Sequence, residues 1–499
     1  MCVMLRAAKG EVKPPYGSYA SRVRVKNPKR MRALLAPTLA IAPAFRPCAK
    51  LMLPSMSGGE TGDARTARSG ALDRVLRIFG DVRAGESVTV LLMLANIFIV
   101  LVASQIIKTV REPLILVTGG AKLKSYSAAG QALVLMGFIP LYSWFSARVN
   151  RGKLVVALTL FFIVNIELFY LGALVPVPYL GIAFFIWVGI YNNAIIAQFW
   201  SYANDLYSKE AGERLFPLIA IGMTAGGPAG PWIAATLFEK GMGAYNMLHI
   251  PASLLALSLV LYALTNAREA RREGTAAESV VGGQTGGFSL VLRSPYLRLV
   301  GLLIIVLNLV NTTGEYILAR YVEDAANAAV AANPSLDPEA FIGSFMGNFF
   351  FWVNTSTVLI QALLVSRIVK YAGLPGVVLA LPVVALGSYG LIASGVGLAA
   401  VRWAKTAENS TDYSVMNTGR AMLWLPTARE EKYKAKQTVD TFVVRTGDVL
   451  SAVLVYAGTT WLGLGVRGFA GASLGFVAVW LVVAYLVVRE YRALATRAA

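Results

Sequence analysis

The sequence is poor in the side chains that enzymes use most for chemistry. Its 499 residues include one histidine and two cysteines, and charged residues make up only 15%. Both cysteines, Cys2 and Cys48, lie near the N-terminus, so neither a disulfide framework nor a thiolate metal site can be laid out along the chain. His249 stands alone near the start of an apolar run and reads as a packing or interfacial residue rather than a ligand. No Gly-x4-Gly-Lys-[Ser/Thr] phosphate loop occurs, which argues against an ATP-hydrolysing pump. His-Glu-x-x-His and Gly-x-Ser-x-Gly are missing too. These absences point away from an enzyme and leave no cofactor implied.

Apolar surface is what the chain has in excess. Hydrophobic residues reach 56% and the mean hydropathy is +0.60. Soluble domains carry roughly 25% charged residues, and a soluble chain of this composition would expose aggregating patches. A bilayer removes that problem. One helical span takes about 20 apolar residues, so the length suits about a dozen spans and little else. The net charge of +19 is spread over short loops and a basic N-terminal tail, which argues against nucleic acid as a partner.

Residues 1–55 are basic, with Glu11 their one acid, and their apolar stretch is broken by prolines. They fit an Arg-rich transit peptide or a segment upstream of a true start at Met52 or Met56. The second is favoured because the apolar patches lack amphipathic order. Residues 1–80 as a whole are expected to be a disordered extension. Apolar runs then fall at about 88–107, 126–146, 154–175, 178–200, 215–238 and 247–265. Six more follow at about 297–319, 341–366, 373–394, 395–424, 438–464 and 469–488. The divisions expected are an N-terminal six-helix bundle at 81–265, a central cytoplasmic loop at 266–296, a second bundle at 297–490 and a tail at 491–499.

The halves echo each other. Leu206-Tyr207-Ser208-Lys209-Glu210 follows the fourth run, and Leu425-Pro426-Thr427-Ala428-Arg429-Glu430 follows the tenth. Two parallel six-span repeats are the build of the major facilitator superfamily. The expected fold class is therefore all-α, a polytopic membrane protein of about 12 helices with pseudo-symmetric 6+6 halves. Even-to-odd connections carry the lysines and arginines, among them Arg148, Arg151, Lys153, Arg268, Arg271, Arg272, Lys432 and Lys434. Odd-to-even connections carry few, Lys122 and Lys124 among them. The positive-inside bias then puts both termini in the cytoplasm of an inner-membrane protein, expected as a monomer.

Ionisable residues inside spans are costly and face a cavity or a partner. The first run ends Lys108-Thr109-Val110-Arg111-Glu112-Pro113. Lys108 and Glu112 are four apart and can pair, which would free Arg111 to make forked hydrogen bonds to phosphate or carboxylate. An interfacial, internally paired cluster is the alternative. The seventh run holds Asn311 and Glu315, which suit substrate contact, a coupling proton or a structural ion pair. In the tenth, Arg402, Lys405, Glu408 and Asp412 recur at three- and four-residue steps on one helix face, followed by Arg420. Such a helix must line water or polar partners. Asp440, Arg445 and Asp448 in the eleventh suit a gate between the halves. Asn192 and Asn193, beside Tyr191, could meet a base or simply sit near an interface. Glu167 in the third run is isolated, and Gly226-Gly227-Pro228-Ala229-Gly230 in the fifth permits close helix packing.

Three segments carry a resemblance. Lys108-Thr109-Val110-Arg111-Glu112-Pro113-Leu114, Phe199-Trp200-Ser201-Tyr202-Ala203-Asn204-Asp205 with Arg214-Leu215-Phe216-Pro217, and Thr411-Asp412-Tyr413-Ser414 with Glu431-Lys432-Tyr433-Lys434 form one set. Together they resemble the nucleotide transporter family of plastids and intracellular bacteria, over roughly residues 85–490. The resemblance implies nucleotide exchange without hydrolysis, with Arg111 at the place of a phosphate-binding base and Arg420 near a family lysine. Asn311 stands where the family's ATP/ADP exchangers carry an acid, and Asp448 where they carry a lysine. Those departures leave another nucleotide or another phosphorylated anion open as cargo. Two rivals remain: a proton-coupled organic-anion transporter using Glu315 or Glu167, and a membrane sensor or scaffold that no longer transports.

Overall fold

The computed structural model describes residues 81–83, 85–146, 148–149, 151–175, 177–269, 287–428 and 431–498. The N-terminal extension and most of the central loop lie outside them. Among the described residues there is no strand. Nine helical stretches among the described residues are long and apolar enough to cross a membrane. Two of them, Ser87–Tyr142 and Pro338–Ala393, are 56 residues long. Straight helices of that length would run about 84 Å, far beyond a hydrocarbon core of about 30 Å, so each must turn back.

Glycine makes those turns. Helix α1 (Ser87–Ser146) breaks at Gly119-Gly120, where Gly120 has φ of 70°. A side chain there would be strained in the left-handed region and would also strike the Glu323 carboxylate. Residues 121–146 then form a second arm beside the first. Further on come α2 (Arg151–Leu174), α3 (Leu180–Leu206), α4 (Lys209–Glu239) and α5 (His249–Glu269). A short α6 (Gly287–Arg293) precedes α7 (Pro295–Ala332) and α8 (Pro338–Ile360). A π-helical turn leads into α9 (Ser366–Ala393), which breaks at Gly373, φ 58°. Next, α10 (Leu398–Thr411) passes through a π turn, Asp412–Met416, into α11 (Asn417–Met422). Two more π turns around α12 (Lys436–Thr438) open into α13 (Val444–Thr460), and α14 (Val466–Ala498) ends the chain.

The helix ends follow their local chemistry. Ser294 and Asp337 cap α7 and α8 with their side-chain oxygens, and each is followed by a proline in the first turn. The prolines have no amide hydrogen to waste at an N-terminus. The C-terminal segment expected as a tail is the helical end of α14.

Two cores fill from α1–α5 and a third from α6–α14, which also receives Ile115, Leu116, Ala121 and Phe185 from the first half; a small fourth forms around Val365, Val377 and Val415. The halves meet where α4 packs on α8 and α1 on α13. Within the first half, α4 lies tight on α1. Gly222, Gly226 and Gly230 face the carbonyls of Leu94, Phe98 and Val102, and a Cβ on Gly226 would sit 2.8 Å from the Phe98 oxygen. Small residues permit that approach. Opposite the cores, Leu160, Phe161, Val164, Leu168 and Leu171 of α2 are exposed as a lipid-facing surface requires.

Candidate functional site

A seam of charge runs through the middle of the molecule, and each member is placed by a local rule. Lys108 lies on the first arm of α1, ten residues before the bend. Its ammonium sits 4.6 Å over the ring of Phe350 and 5.7 Å from that of Tyr413, both in the other half. No carboxylate pairs with it among the described residues. Cation–π contacts contribute about 0.5–2 kcal/mol, far less than the hydration an ammonium gives up, so Lys108 is open to an anion.

The expected pairing of Lys108 with Glu112 does not form, and Arg111 is not free. The fully buried Glu112 is 2.5 Å from the Arg111 guanidinium and 2.6 Å from Lys124 Nζ. Arg111 also stacks 4.3 Å over Phe185. Lys124 belongs to the second arm of α1, and only the bend at Gly119-Gly120 brings it back to Glu112. It also lies 3.9 Å from Glu315 of α7, which accepts a 2.9 Å hydrogen bond from Asn409.

The polar face of α10 turns inward as its spacing requires. Lys405 is fully buried, 2.9 Å from Glu408, and Gly314 of α7 leaves room for its ammonium. Tyr389 places its hydroxyl 3.0 Å from Glu408 and 2.9 Å from the Val310 carbonyl. Asp412 begins the π turn, where it accepts from Asn311 at 3.3 Å and lies 3.5 Å from Arg420. A π turn shifts the helix register, and here it does so at the most polar stretch. Thr312 donates to Asp448 at 2.7 Å, and Arg445 lies 3.4 Å from the same carboxylate.

Other candidates fall outside the seam. Arg402 packs against Phe345 and Trp403 at 5.8 and 5.4 Å, with no ion pair among the described residues. Asn193 is exposed and returns its amide to the Gly189 carbonyl of its own helix, while Asn192 is half-buried. Asp440 is exposed and pairs with Lys436 one turn away at 3.4 Å, a contact within one segment rather than across the halves. Glu167 is not isolated, since His249 lies 3.1 Å from it.

Sequence reasoning missed Lys124, which it counted as a loop residue, and Tyr389. It also missed Gln105 and Asn354, which meet at 3.5 Å across the halves while Asn354 donates to the Gly227 carbonyl at 2.8 Å. Gln105 precedes Lys108 by one turn, so its place on the polar face was available from spacing alone. At the end of the molecule where α1 bends, the halves are tied further. Glu323 accepts from the Ala121 amide at 2.9 Å, Glu339 from the Ala244 amide at 2.5 Å, and Glu239 from Asn348 at 3.4 Å. The cations and carboxylates of the seam lie between two halves held together at one end. They neutralise one another rather than orient a nucleophile.

Comparison with known proteins adds two findings. The sequence is 24% identical over 351 residues to ADP,ATP carrier protein 1 of Chlamydia pneumoniae, covering 60% of this chain and 65% of that protein. It is 23% identical over 337 residues to the carrier of the same name from Chlamydia trachomatis, covering 57% and 60%. The matches thus span less than two thirds of these relatives' own length. No family model matches the chain. Among solved structures, the nucleoside transporter NupG superposes with a TM-score of 0.59 at 13% identity, over 81% of this chain and 98% of that one. A bacterial homologue of the iron transporter ferroportin gives 0.60 at 16%, over 80% and 98%. The fold is thus the polytopic all-α fold of major facilitator-type transporters.

Proposed function

We propose that this chain, a divergent member of the nucleotide transporter family, exchanges phosphorylated anions, nucleotides first among them, across a bilayer by alternating access. The observation that carries this reading is Lys108, an ammonium without a carboxylate partner among the described residues, beside Arg111 in a seam between two helical halves. Phosphate supplies the anion that Lys108 lacks and competes with Glu112 for Arg111. It can take charge-assisted hydrogen bonds from Arg111 in a fork and from Lys108 as a point charge. Phe185, Phe350 and Tyr413 line the same cations with ring faces, suited to the planar part of a nucleotide.

Twelve passes fit the architecture: the two 56-residue stretches divide at their glycines, and Leu398 to Met422 adds one that its charges hide from a hydropathy count. With the basic connections inside, both termini face the cytoplasm of an inner membrane. The bend end is closed by the contacts of Glu323, Glu339 and Asn348, and exchange requires them to part while the opposite end closes. Asn311 and Asp448 adjust the cargo. Asn311 serves Asp412 and Asp448 serves Thr312, so neither is committed to Lys108 or Arg111.

Reconstituted full-length protein tests the proposal. Liposomes preloaded with unlabelled ADP should take up labelled ATP, and empty liposomes should not. No uptake in either, with protein shown folded and inserted, removes ATP/ADP exchange and moves the search to other phosphorylated anions.

A further inference from the structure

Lys124 stands at a junction that the exchange reading does not use. Its side chain is only 8% exposed, and it lies between a carboxylate of each half, Glu112 at 2.6 Å and Glu315 at 3.9 Å. The local backbone fixes it there. The left-handed Gly120 starts the second arm, Glu323 caps the Ala121 amide, and Lys124 follows one turn later. Glu315 and Glu323 are eight residues apart on α7, so they form one face that grips the start of the second arm at two points.

We infer that Lys124 is the coupling residue of the exchanger, a positioning residue that holds the bend end shut until an anion engages Arg111. The inference rests on the exchange reading for its cargo but on geometry for its switch. Arg111 and Lys124 both lie against Glu112, and Lys124 also faces Glu315. An anion arriving at Arg111 competes with Glu112 for the guanidinium. Glu112 is fully buried, and an uncompensated buried carboxylate is costly, several kcal/mol even after relaxation, so it leans more on Lys124, already 2.6 Å away. Lys124 already favours Glu112 over Glu315, by 2.6 Å against 3.9 Å. Drawn further, it releases Glu315, and Glu323 is left to hold the second arm by one backbone amide. Glu315 is not stranded, because Asn409 donates to it and its side chain is 27% exposed. Binding thus removes a bond between the halves, and an unloaded protein keeps it. That is the differential interaction a ligand needs in order to shift two states.

Two readouts test this on the full chain with Cys2 and Cys48 replaced by serine. Spin labels at the exposed Lys122 and Asn327 report the gap between the halves at the bend end without any cargo. The parent protein should show one short distance. Lys124→Gln should add a longer component in the absence of nucleotide, Glu315→Gln should do the same by cutting only the far side of the bridge, and Lys124→Arg should restore the parent distribution. In liposomes, the ratio of labelled ATP uptake into ADP-loaded over empty vesicles should fall toward unity for Lys124→Gln and stay high for Lys124→Arg. Distances that superimpose on the parent in both glutamine variants, or in Glu315→Gln alone where Lys124→Gln does not fold, overturn the inference. So does an unchanged uptake ratio in a folded Lys124→Gln protein. A parent that exchanges no nucleotide overturns the cargo reading, and the distance measurement then decides the role of Lys124 by itself.

Discussion

Arg111 has Phe185 beneath it and Glu112 at its edge, so an anion must share its guanidinium with a buried carboxylate. Charge-assisted hydrogen bonds contribute about 1.5–3 kcal/mol. Arg111→Ala should therefore raise the KM for nucleotide by roughly 10- to 100-fold, read from uptake against concentration. Tyr389 serves structure instead. Its hydroxyl meets Glu408 and the Val310 carbonyl with no exposure to solvent. Tyr389→Phe leaves Glu408 short of a donor and should cost about 1–3 kcal/mol of stability, seen as a lower midpoint in detergent unfolding. Residue-level reading of the sequence worked where partners are local. Lys405, Glu408 and Asp412 share a face because three- and four-residue steps dictate it. It failed at Glu112 because Lys108, Arg111 and Lys124 all compete for that carboxylate, and Lys124 reaches it only through the bend. Glu167 and His249, 82 residues apart, gave no local sign of each other.

Elements depend on glycines in two different ways. At Gly226 the demand is room, because the Phe98 carbonyl occupies the space a Cβ would take. Gly226→Val should cost about 1–3 kcal/mol by overpacking, checked by thermal unfolding beside the milder Gly227→Val, whose nearest neighbour is 3.9 Å away. The start of α1 is tied to α4 by charge instead. Glu86 lies 3.0 Å from Arg214. Burial alone would push the Glu86 carboxyl up, but the Arg214 hydrogen bond and charge outweigh it and hold the group below its ordinary value. A depressed acid stabilises the fold above its unfolded pKa of about 4.3 and loses that contribution as pH falls through the folded value. Parent protein should lose more stability than Glu86→Gln on acidification below about pH 4.3. The apolar runs marked most helices to within a few residues because a bilayer imposes their length. The extension of α7 to Ala332 was not legible, since Arg320, Glu323 and Asp324 interrupt the apolar window and the alanine-rich turns after them carry little apolar signal.

At the scale of the whole molecule, separate cores fill the two halves, which meet where α4 packs on α8. The polytopic all-α fold was readable because apolar runs and basic connections alternate along the chain. Which face of each bundle meets the other was not, since glycine and asparagine at the interface, Gly347 and Asn354 among them, look the same in sequence as those elsewhere. The central claim is that an anion rests on Lys108 between the bundles. Calorimetric titration of ADP into the full-length protein in nanodiscs tests it most directly, with adenosine as the uncharged control. ADP should bind the parent, adenosine should bind far more weakly, and Lys108→Ala should abolish the difference between them. Undiminished ADP binding by Lys108→Ala, still stronger than adenosine binding, would contradict the account.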